Sequence, residues 1–237
     1  MKKIILLVYV FFTLFGIASA SEVNIFSARH YDSDVQLYEK FTRITGIQVN
    51  VVSGKDKALQ KRIIEEGEDC VADLYITADA GRLGAFQEKG AFQRANSKAL
   101  KKAIPSNFRS PYWFGIAKRA RVIYYDPSRT NPPSDLTYED LADPKYKGKV
   151  VIRKSNNVYN QSLVASLIAN NGKKKTAEWA KGVVNNMARK PKGNDRAQIL
   201  AVAAGEADYA VANTYYIALM LSGKKGPEQQ AAAKKVK

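Results

Sequence analysis

The chain has 237 residues, 38 of them basic and 22 acidic, with a formal net charge of +16, one histidine and one cysteine. One cysteine excludes an intramolecular disulfide framework, and one histidine leaves Ser-His-Asp chemistry no route except through His30. The basic excess suits nucleic acid, anionic membranes or anionic chelates. Its lysines fall in short clusters (Lys173–Lys175, Lys224-Lys225, Lys234-Lys235) without interleaved aromatics, so we read a basic solvated surface and no nucleic-acid partner.

In chain order, Lys2-Lys3, the apolar run Ile4 to Ile17 and Ala18-Ser19-Ala20 have the layout of a secretory signal peptide cleaved after Ala20. The run is shorter than the roughly 20 residues that span a bilayer, and no later segment is longer or more apolar. An exported, soluble protein of 217 residues and formal charge +14 is the expectation.

Val23 to Ser27 then reads as a strand, and Asp34 to Thr45 as a helix with Val35, Tyr38, Phe41 and Ile44 near helical spacing and Gly46 as its stop. Ile47, Val49 and Val51 alternate as a strand, followed by a helix over 56–66 closed by Gly67. Cys70, a small half-buried residue in this reading, precedes a strand over 72–77 and a helix over 80–89. This βαβαβα succession predicts a mostly parallel sheet covered by helices.

The character breaks around Pro105 to Pro111. Strands are expected at 113–117 and 121–125, a short helix at 136–141, and a strand at 149–153. Helices follow at 160–170, 174–187 and 195–204, then a strand at 207–212, a helix at 215–221 and the opening of another helix from Glu228. The predicted class is α/β, and the length suits one large domain or two lobes; the resemblance given below makes it two-lobed, with mixed sheets flanked by helices and a hinge between the lobes. The predicted division is a signal peptide at 1–20, a first lobe at 21–118 and a second lobe at 119–237.

In open α/β sheets, ligands bind outside the carboxyl ends of the strands. His30-Tyr31, Tyr159 and Tyr215-Tyr216 all fall at such strand-to-helix junctions. An imidazole with several phenolates is a ligand set that a hard trivalent cation selects, which makes ferric iron the leading expectation. Binding would release protons, because an unperturbed tyrosine titrates near pH 10. Arg119 or Arg121 could balance the phenolate charge, against a plain role as solvated charge flanking a hinge strand. Tyr124, Tyr125 and Tyr209 lie within strands and belong to the core. No Gly-x-Ser-x-Gly elbow, His-Glu-x-x-His pair or glycine-rich phosphate loop occurs, so an enzyme is not expected. A second reading keeps the fold but makes the tyrosines aromatic walls for a small anion or organic solute.

The sequence resembles the periplasmic ferric-iron-binding proteins of iron ABC transporters, most closely their tyrosine-rich cyanobacterial type. The resemblance rests on stretches spread over nearly the whole mature chain. They are 23–31 (VNIFSARHY), 45–49 (TGIQV), 72–83 (ADLYITADAGRL), 119–125 (RARVIYY), 157–165 (NVYNQSLVA) and 213–216 (NTYY). It implies a type II periplasmic-binding-protein fold that holds Fe3+ between two lobes through Tyr31, Tyr159, Tyr215 and Tyr216, with His30 as a fifth ligand. It further implies a monomer that delivers iron to an inner-membrane permease; Fe2+ and a synergistic anion remain open. Family members continue beyond the point where this sequence ends, which predicts a second lobe incomplete at its C-terminal side. Ile217-Ala218-Leu219-Met220 is apolar where a basic residue is expected beside the site.

Overall fold

The computed structural model describes residues 21–29 and 31–237; the expected signal peptide and His30 lie outside the described residues. The chain gathers into two compact units, Met1–Gln93 and Arg94–Lys237. The division expected after Lys118 thus lies inside the second unit. Local hydrogen bonds, Ala95 N–H to Pro111 O and Gly115 N–H to Phe108 O, tie residues 95–115 to one another.

The first unit is a parallel sheet with its connecting helices. Strands β1 (Glu22–Ser27), β2 (Gln48–Ser53) and β3 (Leu74–Ile76) pair in the order β2-β1-β3, with Ile25 opposite both Val51 and Leu74. Helices α1 (Asp32–Thr45) and α2 (Asp56–Glu66) supply the crossovers, and α3 (Ala80–Gln87) follows β3. β1 is the central strand, so Ile25 and Phe26 are buried, Phe26 fully. The Arg62 guanidinium lies 4.7 Å over the Phe26 ring. Asp56, opening α2, accepts hydrogen bonds from Tyr75 and Thr77 at the end of β3. The apolar positions of α1 form a helix as expected but stay largely open: Val35, Phe41 and Ile44 are 54%, 40% and 70% exposed.

The second unit is built on a mixed sheet in the order β4-β6-β5. β4 (Arg121–Tyr125) runs antiparallel to β6 (Tyr209–Asn213), and β5 (Val150–Ile152) runs parallel to it. Successive side chains of a strand face opposite sides, and the two cores follow that alternation. Val150, Ile152, Tyr209 and Val211 pack with Leu141, Leu163, Leu167 and Val183 on one side. Val151, Ala210, Ala212 and Tyr124 pack with Ile199, Val202, Met220 and Val236 on the other. The small side chains at 210 and 212 let helix α6 (Asp195–Ala203) lie close, with Ile199 and Val202 fully buried. Removing water from an aliphatic side chain of that size contributes about 1.5–3 kcal/mol.

Before the sheet stands α4 (Lys98–Ala103), and crossing one face is α5 (Val158–Asn185). The two helices expected at 160–170 and 174–187 meet within this span, separated by a kink at Gly172, whose φ of 80° and ψ of 161° are closed to other residues. At Gly182 the helix presses on the turn at Ala142, where a Cβ would meet the Ala142 carbonyl oxygen at 2.6 Å. Helices α7 (Thr214–Leu221) and α8 (Pro227–Lys235) complete the unit. The last residues also fold onto it, since Lys237 and Tyr125 exchange backbone hydrogen bonds of 2.9 and 3.0 Å.

Two expectations need correction. Residues 113–117 are not a strand: the Ser110 hydroxyl accepts from the Tyr112 and Trp113 N–H groups, turning the chain so that only an isolated Arg109–Phe114 bridge forms. The helix expected at 136–141 is replaced by short 3-10 turns at Glu139–Ala142 and Pro144–Tyr146. There Asp140 captures the N–H and hydroxyl of Thr137, and Pro144 restarts the chain.

Candidate metal centre

The second unit brings three of the expected ligands to one edge of its sheet. β5 and β6 are parallel, so their carboxyl ends share an edge, and α5 and α7 both begin there. Asn157 caps α5 by accepting from the Tyr159 N–H at 3.0 Å, which places Tyr159 in the first turn. Tyr215 and Tyr216 stand in the first turn of α7, immediately after β6. The Tyr215 hydroxyl donates to the Tyr159 hydroxyl at 3.1 Å, and the Tyr215 and Tyr216 rings stack with centroids 4.3 Å apart. All three side chains are half-buried. Burial, followed by hydrogen bonding to Tyr159 and Tyr216, pushes the Tyr215 phenol well above the ordinary tyrosine range.

Because β4 is antiparallel to β6, its amino end reaches the same edge, with Arg121 opposite Asn213. The two expected arginines take different positions there. Arg119 lies over the Tyr159 ring at 4.5 Å. Arg121, only 9% exposed along its side chain, donates to Asp195 at 2.8 Å, Asn160 at 2.8 Å, Asn213 at 3.1 Å and the Val211 carbonyl at 3.1 Å. Its N–H groups are turned toward the scaffold.

Sequence reasoning missed the residue that organises this scaffold. Asp195 is fully buried at the start of α6 and accepts from Arg121, from Arg153 at 3.1 Å and from the Asn213 N–H at 2.8 Å. Asn160 links the same parts, accepting from Arg121 and donating to the Arg153 carbonyl at 2.6 Å. These bonds fix the end of β5, the start of α5, the start of β4 and the end of β6 relative to one another, and so place the three tyrosines. Arg153 was missed as well; its guanidinium also faces the Tyr159 ring, at 5.4 Å. A basic residue directly after a strand and an acidic one opening a helix were the available signals.

Tyr31 belongs to the first unit. It occupies the N-cap position of α1, is 42% exposed, and has the Arg29 guanidinium 5.0 Å over its ring. Arg29 is held in turn by two 2.9 Å bonds to Asp34. His30, its neighbour in the expected ligand set, lies outside the described residues. Among the described residues no group of three His, Cys, Asp or Glu could hold a metal. The three phenols of the second unit are hard, neutral oxygen donors that gain charge only by losing protons, the chemistry that suits a small, highly charged cation.

Comparison with known proteins identifies the family. Residues 69–232 match the family of bacterial extracellular solute-binding proteins. The chain is 50% identical over 217 residues to iron uptake protein A1 of Synechocystis sp., covering 91% of this chain and 60% of that protein. It is 30% identical over 210 residues to the Fe(3+)-binding periplasmic protein of Serratia marcescens, covering 85% and 60%. The chain therefore spans about three fifths of the length of these curated relatives. Among solved structures, a Trichodesmium protein (IdiA, FutA) in complex with iron and citrate ligands superposes with a TM-score of 0.87 at 51% identity, over 92% of this chain and 69% of that one. Apo FutA2 from Synechocystis gives 0.85 at 42% identity, over 92% and 68%. The expected type II periplasmic-binding-protein class, α/β with mixed sheets flanked by helices, is the fold of these neighbours. The chain belongs to the bacterial extracellular solute-binding protein family.

Proposed function

We propose that this chain is the substrate-binding component of an ABC-type ferric iron importer. Fe3+ is its cargo, held by the phenolates of Tyr159, Tyr215 and Tyr216 from the second unit, with Tyr31 and His30 of the first unit as further ligands. Arg119 compensates charge beside Tyr159. The protein works in the periplasm after cleavage following Ala20, as a monomer, and hands iron to an inner-membrane permease; it performs no catalysis. The observation that carries the reading is the 3.1 Å approach of the Tyr159 and Tyr215 hydroxyls, with Tyr216 stacked alongside, at the carboxyl edge of a sheet. Two hydroxyls at that separation sit within reach of one ion.

A visible titration with ferric citrate tests it. A phenolate-to-iron charge-transfer band should grow and saturate at equimolar iron, then fade in the Tyr215→Phe, Tyr216→Phe double variant. A folded chain that develops no band would exclude iron as the cargo of these tyrosines and favour the reading in which they wall a small anion or organic solute.

A further inference from the structure

The net charge of the protein is segregated between its units. Met1–Gln93 holds 11 basic and 12 acidic side chains, a formal −1, whereas Arg94–Lys237 holds 27 and 10, a formal +17. The second unit thus carries the entire basic excess on 144 residues. Among the described residues, Asp126, Asp143, Asp195, Glu206 and Asp208 pair with Arg129, Lys145, Arg121, Arg153, Arg189 and Lys149. The lysines of α4, of α5 beyond Gly172, of the turn before α6 and of α8 are exposed.

The distribution of this charge identifies the kind of partner. A small anion needs groups converging on a pocket, and these lysines project from separate elements. A protein partner needs an apolar centre within its contact area, and the large exposed hydrophobics of this unit, such as Ile116 and Val184, are set apart along the chain. A fluid bilayer with anionic headgroups has neither requirement, since its lipids move laterally to meet scattered cations. Each Lys or Arg near such a surface strengthens binding by a modest increment that accumulates over many residues. We propose that the second unit is a peripheral docking surface for anionic phospholipid bilayers, with Lys173, Lys174 and Lys175 among its contacts. The association is electrostatic, resting on the formal +17 of this unit. It does not depend on iron.

Co-sedimentation of residues 21–237, which hold every described element, tests the proposal. One set of vesicles contains phosphatidylglycerol mixed with phosphatidylcholine, and the other phosphatidylcholine alone. At about 0.1 M salt, where charges still act over about 10 Å, the protein should sediment only with the first set, and high salt should release it. Reversing Lys173, Lys174 and Lys175 to Glu should weaken binding about tenfold or more. Reversing Lys55, Lys57 and Lys61 of the first unit to Glu changes net charge equally and should leave affinity within about twofold. All six side chains are exposed, so both variants should keep the wild-type circular dichroism. Equal losses in the two variants would overturn the assignment to the second unit. Absence of phosphatidylglycerol-dependent binding, or retention on duplex DNA at the same salt without retention on vesicles, would overturn the membrane as partner.

Discussion

Replacing Asp195 by Asn should destabilise the protein far more than its conservative shape suggests. The carboxylate is fully buried and counters two guanidinium groups, those of Arg121 and Arg153, whose side chains are only 9% and 15% exposed. It also accepts the Asn213 N–H at 2.8 Å. Breaking a buried ion pair by removing one partner typically costs about 3–5 kcal/mol, because the remaining charge stays buried. Arg121 keeps Asn160, Asn213 and the Val211 carbonyl as acceptors, which points to the lower end, about 3 kcal/mol. For a protein of this size that corresponds to a melting temperature lower by about 6–12 °C. The matched control is Asp208→Asn, which removes a 3.7 Å pair with Lys149 in which the two side chains are 31% and 48% exposed. Exposed pairs contribute about 0–1 kcal/mol. Thermal and urea unfolding followed by circular dichroism measure both variants. Should Asp195→Asn and Asp208→Asn unfold within about 0.5 kcal/mol of each other, the idea that Asp195 anchors the edge would be wrong.

Two further outcomes follow from burial and packing. Tyr75 is pushed up to about 12 by burial and by donating a hydrogen bond to Asp56, and Tyr124 to about 12 by burial and then the charge of Asp195. Both stay protonated in the native state when an unfolded tyrosine, near 10, has begun to ionise. Their stabilisation is therefore complete below about pH 10 and is lost as pH rises through about 12. Urea midpoints should fall over that window, and less steeply with both residues replaced by Phe; an unchanged slope would count against the assignment. Gly182→Ala should cost about 1–3 kcal/mol, because the new methyl group meets the Ala142 carbonyl at 2.6 Å and its Cβ at 2.7 Å. A neutral result in a urea titration would mean that the turn at Glu139–Ala142 moves freely away from α5.

Much of the fold was legible because its signals are local. The apolar run through Tyr209–Ala212 marks β6, and the spacing of apolar residues with a glycine stop marks α1. The gathering of Tyr159, Tyr215 and Tyr216 was legible because they stand at the starts of the helices that follow β5 and β6, and parallel strands bring their carboxyl ends to one edge. What holds that edge together was not. Arg121 and Arg153 reach Asp195 across 74 and 42 residues, and no periodicity encodes such a pairing. α4 was missed because Lys-Ala-Leu-Lys-Lys-Ala has helix-forming residues but no apolar stripe, its only mark being the Ser97 cap that accepts from Leu100. The apolar face of α1 was visible in the sequence, but periodicity states only that a face is suited to burial and is silent on what packs there.

At this edge one phenol is held in its neutral form. Tyr215 spends its proton on the Tyr159 oxygen, and its burial penalises the charged form. Yet Arg119 and Arg153 already face the Tyr159 ring. A guanidinium over a neutral ring gains from the ring quadrupole, and it gains more once the phenol becomes a phenolate. The arginines therefore favour both states, and the charged one more. Without Asp195 to hold it, Arg153 would be free to turn toward solvent, leaving a phenolate at Tyr159 with less compensation. Asp195 thus joins the stability of this edge to the placing of its tyrosines. The buried carboxylate thereby keeps the cationic charge of Arg153 beside the phenol ring of Tyr159.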